Sequence, residues 1–69
     1  MTLQELISAK PKELRLGQWF CVALGLKGNC DVIDNMFFTN YDASALWYLY
    51  DCIEWYNWDI DNMPVKENK

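Results

Sequence analysis

The stretch DASALWYLYDCIEWYNWDID, residues 42–61, decides how the rest of the chain is arranged. It interleaves Trp47, Tyr48, Tyr50, Trp55, Tyr56 and Trp58 with Asp42, Asp51, Glu54, Asp59 and Asp61, and it holds no Lys or Arg. At 100° per residue it shows two faces. Leu46, Leu49, Tyr50, Ile53, Tyr56 and Ile60 fall together at the i, i+3, i+4, i+7 spacing of a core stripe. Trp47, Asp51, Glu54, Trp55 and Trp58 fall on the opposite side, where an ordinary amphipathic helix carries mostly charge. The second face points to contact with another surface.

Upstream of this stretch, Asp42 suits an N-cap, and Tyr41 before it suits a hydrophobic staple onto Leu46. Downstream, Pro64 bars the residue before it from helical geometry, so the long helix is expected to end short of it. Residues 63–69 read as a disordered polar tail, leaving residues 1–62 as a single helical domain.

Working back towards the start, Asp31 to Phe38 (DVIDNMFF) fits two readings. It makes two helical turns capped by Asp31, with Ile33, Met36 and Phe37 inward, or a tight hairpin around Asp34-Asn35; the helical turn is favoured. Gly28-Asn29 is a turn signal. A helix is expected from about Lys12 to Gly25, with Leu16, Trp19, Phe20 and Ala23 on its core face. Its reverse face carries Gly17, Cys21 and Gly25 at i, i+4, i+8. Small residues in that pattern allow close approach of a helix, from a partner or from this chain, or Gly25 simply ends the helix. Thr2-Leu3-Gln4-Glu5 is a capping box opening a first short helix with Leu3, Leu6 and Ile7 on its apolar side. Pro11 ends that helix or starts the next. The expected fold class is therefore all-α: a small three- to four-helix domain with a long C-terminal aromatic helix.

The chain is 69 residues long, 52% apolar and 16% aromatic. So small a chain buries only about 60% of its unfolded surface. The aromatic content compensates with dense packing and argues against disorder. The formal net charge of −4 is unevenly spread. In residues 1–27, Lys10, Lys12, Arg15 and Lys27 outweigh Glu5 and Glu13. Residues 28–62 carry Asp31, Asp34, Asp42, Asp51, Glu54, Asp59 and Asp61 with no basic residue. Such a field repels nucleic acid and anionic membranes and attracts basic protein surfaces. No direct nucleic-acid or membrane partner is expected.

Three cysteines, Cys21, Cys30 and Cys52, lack CxxC spacing, and the chain has no His to complete a zinc site. Reduced thiols in the core of a cytoplasmic protein are expected, since Met1 to Lys10 contains no apolar signal region and the longest apolar run is too short to span a bilayer. Without His there is no conventional triad, and Gly17, Gly25 and Gly28 fit no phosphate-binding fingerprint. Asn57, Asp59, Asp61 and Asn62 echo half a calcium loop that lacks its central Gly. Asp51 and Glu54 share a helix face and could work as paired carboxylates, but a chain of this size offers little room for a cleft beside them. No enzymatic activity, cofactor or metal is expected.

The segment Leu14-Arg15-Leu16-Gly17-Gln18 followed by an apolar helix, then Phe37-Phe38 and Tyr41-Asp42 before another helix, resembles a pattern in small phage and prophage accessory proteins of unknown function. The resemblance rests on the R-x-G-Q segment and the aromatic–Asp helix start, without the proline-containing D-P-F-Y form of the latter. It implies an accessory viral protein and no specific activity. Two functions remain in view. One is a small acidic protein–protein interaction module, a phage-encoded antagonist of a host nucleic-acid-binding or defence protein. Its Trp47, Asp51, Glu54, Trp55 and Trp58 would bind the partner's basic surface. The other is a homo-oligomeric structural protein, a homodimer whose same face pairs with its own copy. Trp58, near the helix end, is expected in contact with the partner and Trp47 partly buried.

Overall fold

Thr2 and Glu5 form the reciprocal capping box their spacing requires. The Glu5 amide donates to Thr2 Oγ1 (3.0 Å) and the Thr2 amide donates to Glu5 Oε1 (2.8 Å). This opens the first of four helices in the computed structural model, which describes residues 1–27 and 30–66. The fold is all-α. Among the described residues the helices are α1 (Leu3–Ser8), α2 (Leu16–Leu24), α3 (Asp31–Phe38) and α4 (Asp42–Tyr56), and no strand is present. Residues 31–38 thus take the helical alternative. The helix starts one residue earlier than expected, with Cys30 rather than Asp31 at the N-cap and both Asp31 and Asp34 in the first turn, where carboxylates complement the dipole. The Gly28-Asn29 turn lies outside the described residues.

The second helix begins later than its apolar spacing suggests. Lys10 supplies the reason by turning its ammonium forward to the carbonyls of Pro11 (3.2 Å) and Leu14 (2.8 Å). Those carbonyls are therefore satisfied without helix formation. Gln18 then accepts the Arg15 amide (2.9 Å) at the start of α2. The helix stops at Gly25, whose φ of 66° lies in the left-handed region. The Leu26 amide donates back to the Cys21 carbonyl (2.9 Å), the closure expected of a glycine C-cap.

Helices α2, α3 and α4 pack on one another, and the small-residue ridge of α2 explains how closely. A β-carbon on Gly17 would lie 2.8 Å from the Met36 carbonyl carbon and closer still to its oxygen. Gly17 therefore admits the backbone of α3, an intramolecular close approach. Phe20, Leu6, Met36, Leu49 and Cys52 are the largest fully buried side chains, one or more from each helix. Trp19 joins α1 to α2 by donating its indole N–H to the Leu6 carbonyl (2.7 Å).

Residues 63–66 are not a loose tail. Met63 is 3% exposed and belongs to the core, and Val65 packs against it. The Met63 amide donates to the Met1 carbonyl (2.7 Å), and the Lys66 amide donates to the Ala23 carbonyl (2.7 Å) near the end of α2. The sequence expectation undervalued Met63 because Pro64 beside it and the charges beyond read as solvated. Proline, however, forbids only the helix, and an extended strap buries the methionine equally well. Residues 67–69 lie outside the described residues.

Candidate protein-interaction surface

The long helix α4 positions the candidate surface. Tyr41, rather than Asp42, is its N-cap, and Tyr41 is 73% exposed, so no staple onto Leu46 forms. Asp42 occupies the first turn, where its charge still favours the helix N-terminus. The far end comes earlier than expected. Asn57 adopts φ 56° and ψ 44°, and the Trp58 amide donates to the Ile53 carbonyl (3.0 Å), reversing the chain after Tyr56. Asn is the side chain that best tolerates this left-handed geometry apart from Gly. The signal was present at Asn57, four residues before the end of the apolar–acidic stretch.

The buried stripe of α4 is Ala45, Leu49 and Cys52. It is rotated by roughly 70° from the stripe of large side chains that the wheel favoured. Tyr50, Tyr56 and Ile60, assigned to the core by that wheel, are 54%, 52% and 49% exposed, whereas Leu46 and Ile53 are half-buried at its edge. Two of the three inward side chains, Ala45 and Cys52, are small, and α4 packs on α2 and α3. A wheel weighted towards the largest apolar side chains keeps Leu49 but misses Ala45 and Cys52 beside it.

The rotation leaves Trp47, Asp51, Glu54 and Trp55 together on the outward arc. Trp47 is 73% exposed, Trp55 is 57% exposed, Glu54 is exposed and Asp51 is half-buried. Trp58 is not part of this group. Because the helix has ended, it folds back against the core, half-buried, and stacks on Tyr56 with ring centroids 5.1 Å apart and planes 24° from parallel. The expectation for the two tryptophans is therefore reversed, with Trp47 exposed and Trp58 held by the protein itself. The residue missed by sequence reasoning is Tyr50, which stands beside Trp47 and Asp51 around a shallow hollow floored by Ala43 and Leu46.

The chemistry of this surface is that of contact. An exposed run of Trp47, Tyr50 and Trp55 with Asp51 and Glu54 between them offers apolar area, ring faces for cations and carboxylates for guanidinium or ammonium groups. Elsewhere, the buried Cys21 and Cys52 thiols are poor nucleophiles. Burial, with smaller contributions from Cys52 and Asp34, pushes the Cys21 thiol up to about 11, and burial likewise raises Cys52. All three cysteines are free. Among the described residues, no group of three or more His, Cys, Asp or Glu side chains is placed to hold a metal ion. The half calcium loop instead closes a turn, with the Asp61 amide donating to Asp59 Oδ1 (2.9 Å). No described helix is long and apolar enough to cross a membrane.

No protein-family model matches the chain, and comparisons with curated proteins and with solved structures find no match either.

Proposed function

We propose that the protein is a small acidic protein–protein interaction module that binds a partner's basic surface through the outer face of α4. The observation that carries this reading is the 73% exposure of Trp47 and 57% exposure of Trp55 on one helix face with Asp51 and Glu54. Leaving two indoles in water forgoes about 1.5–3 kcal/mol apiece in unburied apolar area, and tryptophan is the residue most enriched in interface hot spots. Residues 30–62 contain no Lys or Arg, so the field around these rings draws in cationic partners and speeds their docking. The R-x-G-Q resemblance supports the narrower reading, a phage-encoded, non-enzymatic antagonist of a host nucleic-acid-binding or defence protein. Three free thiols support a cytoplasmic setting.

A photo-crosslinking side chain placed at position 47, with a control at the exposed Val22 of α2, tests this in cells. Crosslinks to a basic protein from position 47 and not from position 22 are expected. Equal yields from the two positions would overturn the assignment of the surface. A product at twice the 8.2 kDa chain mass would instead establish the homodimer, which the clustered carboxylates oppose unless Asp51 and Glu54 fall at its rim.

A further inference from the structure

The outer face of α4 does not end at Trp47. Tyr50, half-exposed, is the wall shared by two hollows. On one side lies the shallow depression of Ala43, Leu46, Trp47 and Asp51. On the other is a larger one, about 530 Å³, between α4 and α1, where Leu3 and Ile7 line the α1 side and Ile60 and Asp61 close the far end. Together they make a trough with an apolar floor, polar Thr2, Gln4 and Ser8 along the α1 rim, and a carboxylate at each end, Asp51 and Asp61. Among the described residues, no basic side chain lines either hollow. The nearest lysine of the α1 segment, Lys10, is turned away onto the carbonyls of Pro11 and Leu14.

Resting on the reading of α4 as the contact face, we propose that this trough seats a cationic amphipathic helix of the partner protein, laid across Tyr50 between α1 and α4. Charge complementarity selects that occupant. An apolar stripe at i, i+3, i+4, i+7 spacing covers Leu3, Ile7, Leu46 and Ile60, while Lys or Arg side chains on the flanks of the stripe reach Asp51 and Asp61. A second copy of the chain is disfavoured on the same ground, since it would bring its own carboxylates to those ends. Tyr50 supplies the anchor, a ring 54% exposed that lines both hollows.

The probe is a 16-residue helical peptide of leucine and lysine with leucines at that spacing, set against the same peptide with glutamate for lysine. Amide and methyl NMR shifts of the full chain report where it binds. Changes clustered at Leu3, Ile7, Tyr50 and Ile60 are expected with the lysine peptide only. Tyr50→Ala should weaken its binding at least tenfold. So should Gln4→Arg combined with Ser8→Arg, two exposed positions whose replacement leaves the core untouched. Changes confined to Trp47, Asp51 and Trp55 with α1 unmoved would overturn the trough while leaving the α4 face in place. Changes centred on Val22 and Phe38, which line a separate groove between α2 and α3, would also overturn it, as would no binding at all. The crosslinking yields from positions 47 and 22 judge the α4 reading separately.

Discussion

Replacing Gly17 by alanine tests the packing of α2 on α3. The new β-carbon would lie 2.8 Å from the carbonyl carbon of Met36 and nearer to its oxygen. The obstacle is the backbone of α3, which cannot rotate away as a side chain could. The two helices must separate, loosening Ile33 and Met36 against Leu16 and Phe20, all four of them buried. Overpacking a core costs typically 1–3 kcal/mol, and a rigid backbone obstacle belongs at or above the top of that range. The alanine returns at most about 1 kcal/mol of helix propensity. A net loss of about 2–3 kcal/mol is expected. Total stability for a chain of this length is of order 3–10 kcal/mol, so the loss is a large part of the whole. Urea denaturation followed by far-UV circular dichroism measures it through the midpoint at unchanged slope. A Gly17→Ala protein as stable as the parent would show that α2 and α3 do not approach as described.

Three further outcomes follow from the same packing. Trp47→Ala should leave stability within about 0.5 kcal/mol of the parent, whereas Trp58→Ala should cost roughly 2 kcal/mol, about half the penalty of a fully buried tryptophan; similar urea midpoints for the two would contradict their placement. Met63→Ala should cost about 2–5 kcal/mol as a buried methionine does, and a neutral result in the same assay would return residues 63–66 to the status of a tail. The Cys21 thiol, ordinarily titrating at 9.0, is held up to about 11 in the folded protein. A folded-state pKa above the unfolded one means its contribution is whole below pH 9 and is lost as pH rises towards 11. The loss is on the order of 2–3 kcal/mol, and Cys21→Ala should flatten this part of the alkaline stability profile.

The elements legible in the sequence are those written in local chemistry. Thr2 and Glu5 announce their capping box, Gly25 its left-handed cap, and Leu16, Phe20 and Ala23 their buried face, because each signal is carried by residues within a turn or two. The long helix was legible as a helix but not in its length or rotation. Its end depends on Asn57 taking a conformation that asparagine tolerates without demanding. Its rotation is set by its packing on α2 and α3, a property of the assembled bundle. The same limit governs the candidate site. Trp47, Asp51, Glu54 and Trp55 emerge together because their spacing alone puts them on one arc, while Trp58 was misassigned through the misplaced helix end. Tyr50 was missed because a wheel centred on large side chains turned it inward. Met63 was missed because no local pattern marks a side chain buried from an extended strap.

The pairing of the first residues with the last described ones has a consequence for how the protein is made. Leu3 donates its amide to the Ile60 carbonyl (2.7 Å), and Met63 donates to Met1 (2.7 Å). Those bonds join residues about 60 apart along the chain, so α1, tied nearby through Trp19, emerges from the ribosome long before the segment that pairs with its first residues. Helices α2, α3 and α4, linked by short connections, can assemble first; closing the long loop back to α1 is the slow, late event. Until then α1, a six-residue helix too short to persist alone, lacks the bonds of its leading residues to Ile60 and Met63. A synthesis halted before Met63 would therefore release a three-helix intermediate with an exposed apolar flank, a species for chaperones and proteases to recognise.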